Sequence, residues 1–106
     1  MTPDTRNRLS RLRVLQQLQH AHPNPMGGPL LLQLLLDDDD LVIDIAGLLR
    51  SLIWLEDHGL ADVQVLDYLG EPITVSRITP LGMDFLSADK GLIHGIIHPS
   101  DCLGVQ

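Results

Sequence analysis

Leucines recur at helical spacing in two separate segments, and this pattern constrains the fold more than any other feature of the chain. The first stripe consists of Leu9, Leu12, Leu15 and Leu18, widened by Val14 and Ala21. The second stripe consists of Leu41, Ile45, Leu48, Leu52 and Leu55, widened by Val42, Leu49 and Ile53. The chain has 22 leucines but only 3% aromatic residues, which favours helices packed through aliphatic side chains. The stripes predict a helix over residues 5–22 and another from about Leu41 to His58, terminated by Gly59.

A proline- and glycine-rich break, a short apolar helix and an aspartate run lie between these helices. Pro and Gly punctuate residues 22–29, which predicts an irregular connection. Pro29 suits the first position of a second helix that ends near Leu36, and its apolar character predicts burial on more than one side. The run Asp37–Asp40 favours a helix N-terminus over a C-terminus, so Asp39 or Asp40 should cap the third helix. The alternative for the run is a divalent-cation site, although it lacks the spaced ligands of a calcium loop.

The second half of the chain carries the pattern of a hairpin followed by a short helix. Residues 60–67 alternate as a strand, with Val63 and Val65 on one side, and residues 73–78 form a second strand with a bulge near Arg77. The turn between them spans residues 68–72 and contains a glycine. Thr79 and Pro80 then suit the cap and first position of a last helix. Its inward residues are expected to be Leu81, Phe85 and Leu86. We predict one domain over residues 1–88 and an irregular tail over residues 89–106.

Two short motifs occur in the order that this hairpin requires. The segment Leu52–Leu60 reads LIWLEDHGL and resembles the LxxLxxxGL pattern that ends a recognition helix and enters a wing strand. The segment Ile78–Gly82 reads ITPLG and resembles the (L/I)TxxG pattern that closes the wing and opens the last helix. Across residues 5–88 the chain resembles a winged helix-turn-helix domain, in particular small arsenic-repressor-type regulators and the short winged-helix proteins of Mu-like phages.

The resemblance implies a mainly helical α+β fold with three helices, a two-stranded wing and a short final helix. It also implies a non-catalytic, cytoplasmic transcription regulator that binds double-stranded DNA and is often dimeric. We expect a homodimer formed through the first helix, the tail or both, because the chain has more leucine than its short helices can bury.

Charge leaves two functions open. The net charge is −7, and it divides into +3 over residues 1–36 and −10 over residues 37–106. An acidic body repels phosphate, so DNA binding has to overcome that field. The first function is a DNA-binding transcription regulator. The alternative is an acidic winged-helix module of phage type that serves protein interaction or assembly and does not bind DNA strongly.

Candidate DNA contacts lie on the first and third helices. The nucleic-acid-binding residues predicted for the third helix are Gly47, Arg50 and Ser51. Those predicted for the first helix are Arg6, Arg8, Arg11 and Arg13. The four arginines form either a phosphate-contacting arm or a solvated helix face that balances the acidic body, and spacing does not decide between these.

Trp54 and Ile43 are the predicted protein-interaction residues. Both lie on the arc of the third helix that should face solvent or DNA. Tryptophan is enriched at interface hot spots, so an outward indole favours a contact with another protein. The alternative is that the tail or the first helix folds over the ring.

No pattern in the sequence indicates an enzyme, a cofactor, a bound metal or a membrane segment. A glycine-rich phosphate loop, HExxH and GxSxG are all missing from the sequence. Cys102 is the single cysteine, so no internal disulfide forms and a reducing cytoplasm is expected. His94, His98 and Cys102 recur every four residues as metal ligands on a helix would, but Pro99 interrupts that helix.

Overall fold

The computed structural model describes residues 2–37, 43–89, 91 and 93–100, and this part of the chain holds four helices and three strands. The helices are α1 (Pro3–Ala21), α2 (Gly28–Leu36), α3 (Ile45–Asp57) and α4 (Pro80–Ser87). The strands are β1 (Met26–Gly27), β2 (Ala61–Tyr68) and β3 (Glu71–Ile78), in the antiparallel sheet order β1-β3-β2. The predicted α+β class and element order are confirmed, with β1 as an added strand. None of the described helices combines the length and apolar character needed to cross a bilayer.

Helix α1 forms as its leucine stripe predicts and supplies one wall of the core. Thr2 caps it by accepting a hydrogen bond from the Thr5 amide at 3.2 Å, and Pro3 occupies the first turn. The side chains of Leu12, Leu15 and Leu18 are at most 1% exposed. The leucine stripe of this helix is therefore buried within its own chain and is not available for the expected dimer contact.

The connection after α1 contains a strand that the sequence pattern does not predict. Met26 and Gly27 pair with Ser76 and Val75 of β3. Two residues are too few to show the alternation by which strands are recognised. The segment is nevertheless fixed to the sheet, and Met26 joins the core at 7% exposure.

Helix α2 packs through one face only, which corrects the expectation that it is buried on several sides. Pro29 lies in its first turn as predicted, and Leu31 and Leu35 are buried. In contrast, Leu30 is 53% exposed and Leu36 is 58% exposed. The reason is that this small protein has one core, and α2 contacts it from one side.

Helix α3 begins at Ile45 rather than near Leu41. Its N-cap is Asp44, whose Oδ1 accepts a hydrogen bond from the Gly47 amide at 2.7 Å. The prediction that Asp39 or Asp40 caps this helix is therefore wrong. Residues 38–42 lie outside the described part of the chain, and so does the cation-site alternative for the aspartate run.

The buried face of α3 is rotated from the predicted stripe. Leu48, Leu52 and Leu55 are buried as predicted, and Ser51 is buried beside them at 5% exposure. The expectation that Ile45, Leu49 and Ile53 also face inward is wrong, because they are exposed. The predicted stripe covered more of the helix circumference than one packing face can bury, and packing selects the side that contains Ser51.

Gly59 ends α3 as predicted. Its φ is +73°, in the left-handed region that glycine favours. The Gly59 amide donates to the Glu56 carbonyl and the Leu60 amide donates to the Leu55 carbonyl, each at 2.9 Å. These two bonds define a Schellman cap, and both Leu55 and Leu60 are fully buried beneath it.

Strands β2 and β3 form a regular hairpin without the bulge expected near Arg77. Their register runs unbroken from the pair Ala61–Ile78 to the pair Tyr68–Glu71. Only the base packs on the core: Val63 is partly buried against it, whereas Val65, on the same side of the strand, is 67% exposed. We name the outer half of this hairpin, residues 65–74, the wing.

The turn into α4 follows the ITPLG motif closely. The Thr79 hydroxyl accepts from the Gly82 amide at 3.1 Å and donates to the Gly59 carbonyl at 2.6 Å. Thr79 thus caps α4 and also fixes the end of α3. Phe85 faces inward as predicted, whereas Leu81 is 51% exposed.

The tail packs against the rest of the molecule where it is described. Ile96 belongs to the core, and His98 is 2% exposed. The His98 ring hydrogen-bonds the Phe85 carbonyl through Nε2 at 2.9 Å and the Ser100 hydroxyl through Nδ1 at 2.7 Å. The Ile97 amide donates to the Arg8 carbonyl at 3.4 Å, so α1 and α4 both hold the tail.

Candidate functional site

A polar cleft of about 500 Å³ lies between the N-terminal halves of α1 and α3. We call it the α1–α3 cleft. Its α1 wall is formed by Pro3, Arg6, Asn7 and Ser10. Its α3 wall is formed by Ile43, Asp44, Gly47, Arg50 and Ser51. Along each wall the residues recur at intervals of one and three positions, which keeps them within about 100° of one another around the helix axis and so on one face. Ile43 and Asp44 extend the α3 wall just before the first residue of the helix.

Gly47 is closely covered by neighbouring side chains on the α3 wall. A Cβ at this position would lie 3.2 Å from Oδ1 of Asp44 and from Cγ1 of Ile43, and 3.7 Å from Nη2 of Arg50. The Asp44 carboxylate is engaged as the helix cap. The Arg50 guanidinium lies beside this capped first turn of α3.

The cleft brings together two cations that have no ion-pair partner among the described residues. The ion pair found there joins Arg8 to Asp4 at 3.0 Å, outside the cleft lining. Arg6 and Arg50 line the cleft from opposite helices. Two exposed arginines therefore border the same cleft in a chain whose net charge is −7.

Four of the predicted DNA-contact residues meet in this cleft, and three do not. Arg6, Gly47, Arg50 and Ser51 line it. The remaining arginines of α1 have other contacts: Arg8 pairs with Asp4, Arg11 packs on Trp54, and Arg13 donates to the Gln16 side chain at 3.2 Å. At 100° per residue the four arginines of α1, including Arg6, point to two sides of the helix, so they do not form one continuous arm.

Trp54 is half-buried beneath α1 and the tail. The Arg11 guanidinium lies 4.6 Å from the centroid of its ring, and the His58 ring stacks on it at 3.7 Å. Arg11 Nη1 donates to the Gly95 carbonyl at 2.7 Å. The partial burial of the Arg11 guanidinium lowers the pKa of Arg11. The tail and the first helix therefore fold over the indole, which was the alternative to a contact with another protein.

Ile43 is also packed within the chain. It precedes α3, is 8% exposed and belongs to the core while forming part of the cleft wall. The two apolar residues that the sequence offers for protein contacts therefore both have partners inside the molecule.

The apolar residues that α3 does present to solvent are different ones. Ile45 is 50% exposed, Leu49 is 39% exposed and Ile53 is 56% exposed. Spaced at i, i+4 and i+8, they form one stripe, which we call the α3 outer face. Sequence reasoning missed this surface because it assigned these residues to the core. The signal that could have revealed it was the excessive width of the predicted stripe.

The wing adds further exposed apolar groups. Val65, Leu66, Tyr68 and Leu69 are all at least half exposed, and the acidic side chains of Asp67 and Glu71 are exposed between and beside them. The wing tip therefore carries apolar and negatively charged groups. A phosphate-contacting wing would need cations in these positions.

The histidines of the tail do not form a described metal site. The described part of the chain contains no cluster of metal-binding side chains. Gly95, at φ +92°, separates His94 from His98, and both ring nitrogens of His98 have hydrogen-bond partners. Cys102, the third member of the predicted trio, lies outside the described residues.

In overall fold the chain is similar to the crystal structure of a proposed transcriptional regulator from Thermoplasma acidophilum. The two structures superpose with a TM-score of 0.59 over 72% of each chain, at 21% sequence identity. No protein-family model matches this chain, and no curated protein matches it in sequence. The likeness shows that the two chains share a small α+β fold.

Proposed function

We propose that this chain is a small, non-catalytic winged-helix protein of the transcription-regulator type that acts through a protein contact of the α3 outer face. The observation that carries this proposal is the exposure of Ile45, Leu49 and Ile53 on one stripe. In winged-helix proteins, the helix at this position reads base edges, and hydrogen-bonding or cationic side chains do that work. An exposed i, i+4, i+8 apolar stripe is instead typical of a helix that docks on another protein.

The charges around the α3 outer face support a protein partner over a duplex. Glu56 and Asp57 are exposed at the C-terminal end of α3, and Asp67 and Glu71 are exposed on the wing. Each of these carboxylates repels the phosphate backbone. Arg50, the cation of α3, lines the α1–α3 cleft.

A second copy of the chain is the partner that we propose. The leucines of α1 are buried within the chain. The exposed stripe on α3 is therefore the apolar surface that a second copy of the chain would cover. A two-fold contact places the same stripe of both copies face to face. An antiparallel arrangement of the two helices also keeps the acidic ends at Glu56 and Asp57 apart, which lowers the repulsion between copies.

Light scattering of variants tests this function. The wild type at micromolar concentration should give about twice the chain mass of 11.7 kDa. Leu49→Glu should give the mass of one chain, because it places a carboxylate in the apolar contact. Leu30→Glu is the matched control, since Leu30 is an exposed helical leucine outside the α3 outer face. A monomeric wild type, or a dimer that Leu49→Glu leaves intact, would contradict the proposal.

Duplex DNA binding is the second candidate function, and one observation favours it. The α1–α3 cleft holds Arg6 and Arg50 near the N-terminal end of the helix that the resemblance assigns to base reading. If the chain binds DNA there, Arg50→Ala should weaken binding to a random duplex at low salt. The slope of affinity against salt should also fall by about one phosphate contact. Arg8→Ala, which removes a cation paired with Asp4, is the control.

A further inference from the structure

The α1–α3 cleft has a size and shape that suit a small molecule. It is concave and measures about 500 Å³. Small-molecule sites commonly occupy about 300–1,000 Å³ and combine apolar walls with a few directed polar groups. Here Ile43 supplies apolar surface, and Asn7 and Ser51 supply an amide and a hydroxyl. The proposed protein contact uses the α3 outer face and leaves this cleft free.

The charges in the cleft point to a negatively charged ligand. Arg6 and Arg50 face it from different helices, and neither forms an ion pair with any other described residue. Asp44 carries the one carboxylate of the lining, and this group accepts a hydrogen bond from the Gly47 amide as the helix cap. A guanidinium group binds a carboxylate or phosphate through two parallel hydrogen bonds, so two such groups can hold one anion from both sides.

We propose that the α1–α3 cleft binds a small anionic ligand through a carboxylate or phosphate group held between Arg6 and Arg50. A phosphate of duplex DNA offers the same chemistry. The concave shape of the cleft favours the small ligand, because a duplex backbone needs a broad basic surface.

Amide NMR titration of the full chain tests this site, with inorganic phosphate and acetate as probes and a random duplex in parallel. The amides of Asn7, Gly47 and Ser51 should shift and saturate with phosphate or acetate. Arg6→Gln and Arg50→Gln should each weaken binding by about tenfold or more, since each removes a charge-assisted hydrogen bond. Arg77→Gln, which removes an exposed cation of β3, should leave the affinity unchanged.

Circular dichroism and thermal unfolding confirm that each variant folds, so a lost signal reports on binding. Shifts that do not saturate, or that Arg77→Gln reduces as much as Arg50→Gln does, would overturn the proposal. Saturable shifts with the duplex alone would also overturn it and would assign the cleft to the DNA backbone.

Discussion

The guanidinium of Arg11 lies 4.6 Å from the centroid of the Trp54 ring and so joins the first helix to the third. The same guanidinium donates a hydrogen bond to Gly95 of the tail at 2.7 Å. Three parts of the chain therefore meet at one side chain. Since Trp54 is the single tryptophan, its fluorescence reports on this junction.

Removing the Arg11 guanidinium should destabilise the protein measurably. Arg11→Gln loses the cation–π contact and a hydrogen bond, and we expect the free energy of unfolding to fall by about 1–2 kcal/mol. Urea unfolding followed by Trp54 fluorescence measures this change. Arg8→Gln is the control and should cost at most about 0.5 kcal/mol, because its ion pair with Asp4 is exposed. Equal losses for the two variants would show that the contact with Trp54 is not stabilising.

Gly59 should tolerate asparagine better than valine. Its φ of +73° is strained for a β-branched residue, so Gly59→Val should lower the free energy of unfolding by about 1–3 kcal/mol. Gly59→Asn should cost less, because asparagine enters the left-handed region more readily. Chemical denaturation of both variants gives the comparison, and equal stability of the two would place the helix terminus elsewhere.

Gly82 should be intolerant of even one added carbon. A Cβ there would overlap the carbonyl oxygen of Leu60 and lie 2.7 Å from Cγ1 of Ile78. Gly82→Ala should therefore cost about 1–3 kcal/mol through overpacking, despite the higher helix propensity of alanine. Thermal unfolding should show a much smaller loss for Gly27→Ala, since a Cβ at Gly27 would meet no atom within 4 Å. A Gly82→Ala variant as stable as the wild type would contradict this close packing.

Leu69 offers a stabilising substitution. It has φ +54° in the two-residue turn of the wing, is followed by Gly70 at φ +85°, and is 88% exposed. Both positive values are typical of a type I′ turn, which favours Asn-Gly. Leu69→Asn should raise the free energy of unfolding by about 0.5–1 kcal/mol. Tyr68→Asn, one residue outside the turn centre, should give no gain in the same urea experiment.

The features that local chemistry determines could be predicted from the sequence. Gly59 ends a helix because glycine adopts its positive φ most readily, and Thr79 caps one because its hydroxyl reaches the Gly82 amide. The orientation of α3 could not be predicted in this way. Whether Leu49 or Ser51 faces the core depends on how α1 and the sheet pack on the helix, and an over-wide apolar stripe permits either result.

The candidate site is predictable from the sequence in some of its residues but not in its geometry. Arg6 and Arg50 were singled out as cations on two helices, but the cleft between them exists only because α1 packs across α3. The same holds for Trp54. Its unusual position on the helix was evident from the sequence, while the partners that cover it, Arg11 and the tail, come from segments distant along the chain.

Cysteine cross-linking at the α3 outer face tests the central claim most directly. In a Cys102→Ser background, Ile53→Cys and Leu49→Cys should form disulfide-linked dimers under mild oxidation at micromolar concentration. Leu30→Cys, on the exposed side of α2, should remain largely uncross-linked under the same conditions. Non-reducing electrophoresis should then show about twice the 11.7 kDa chain mass for the two α3 variants. Equal cross-linking at all three positions, or none at Ile53 and Leu49, would contradict the assignment of this face to protein contact.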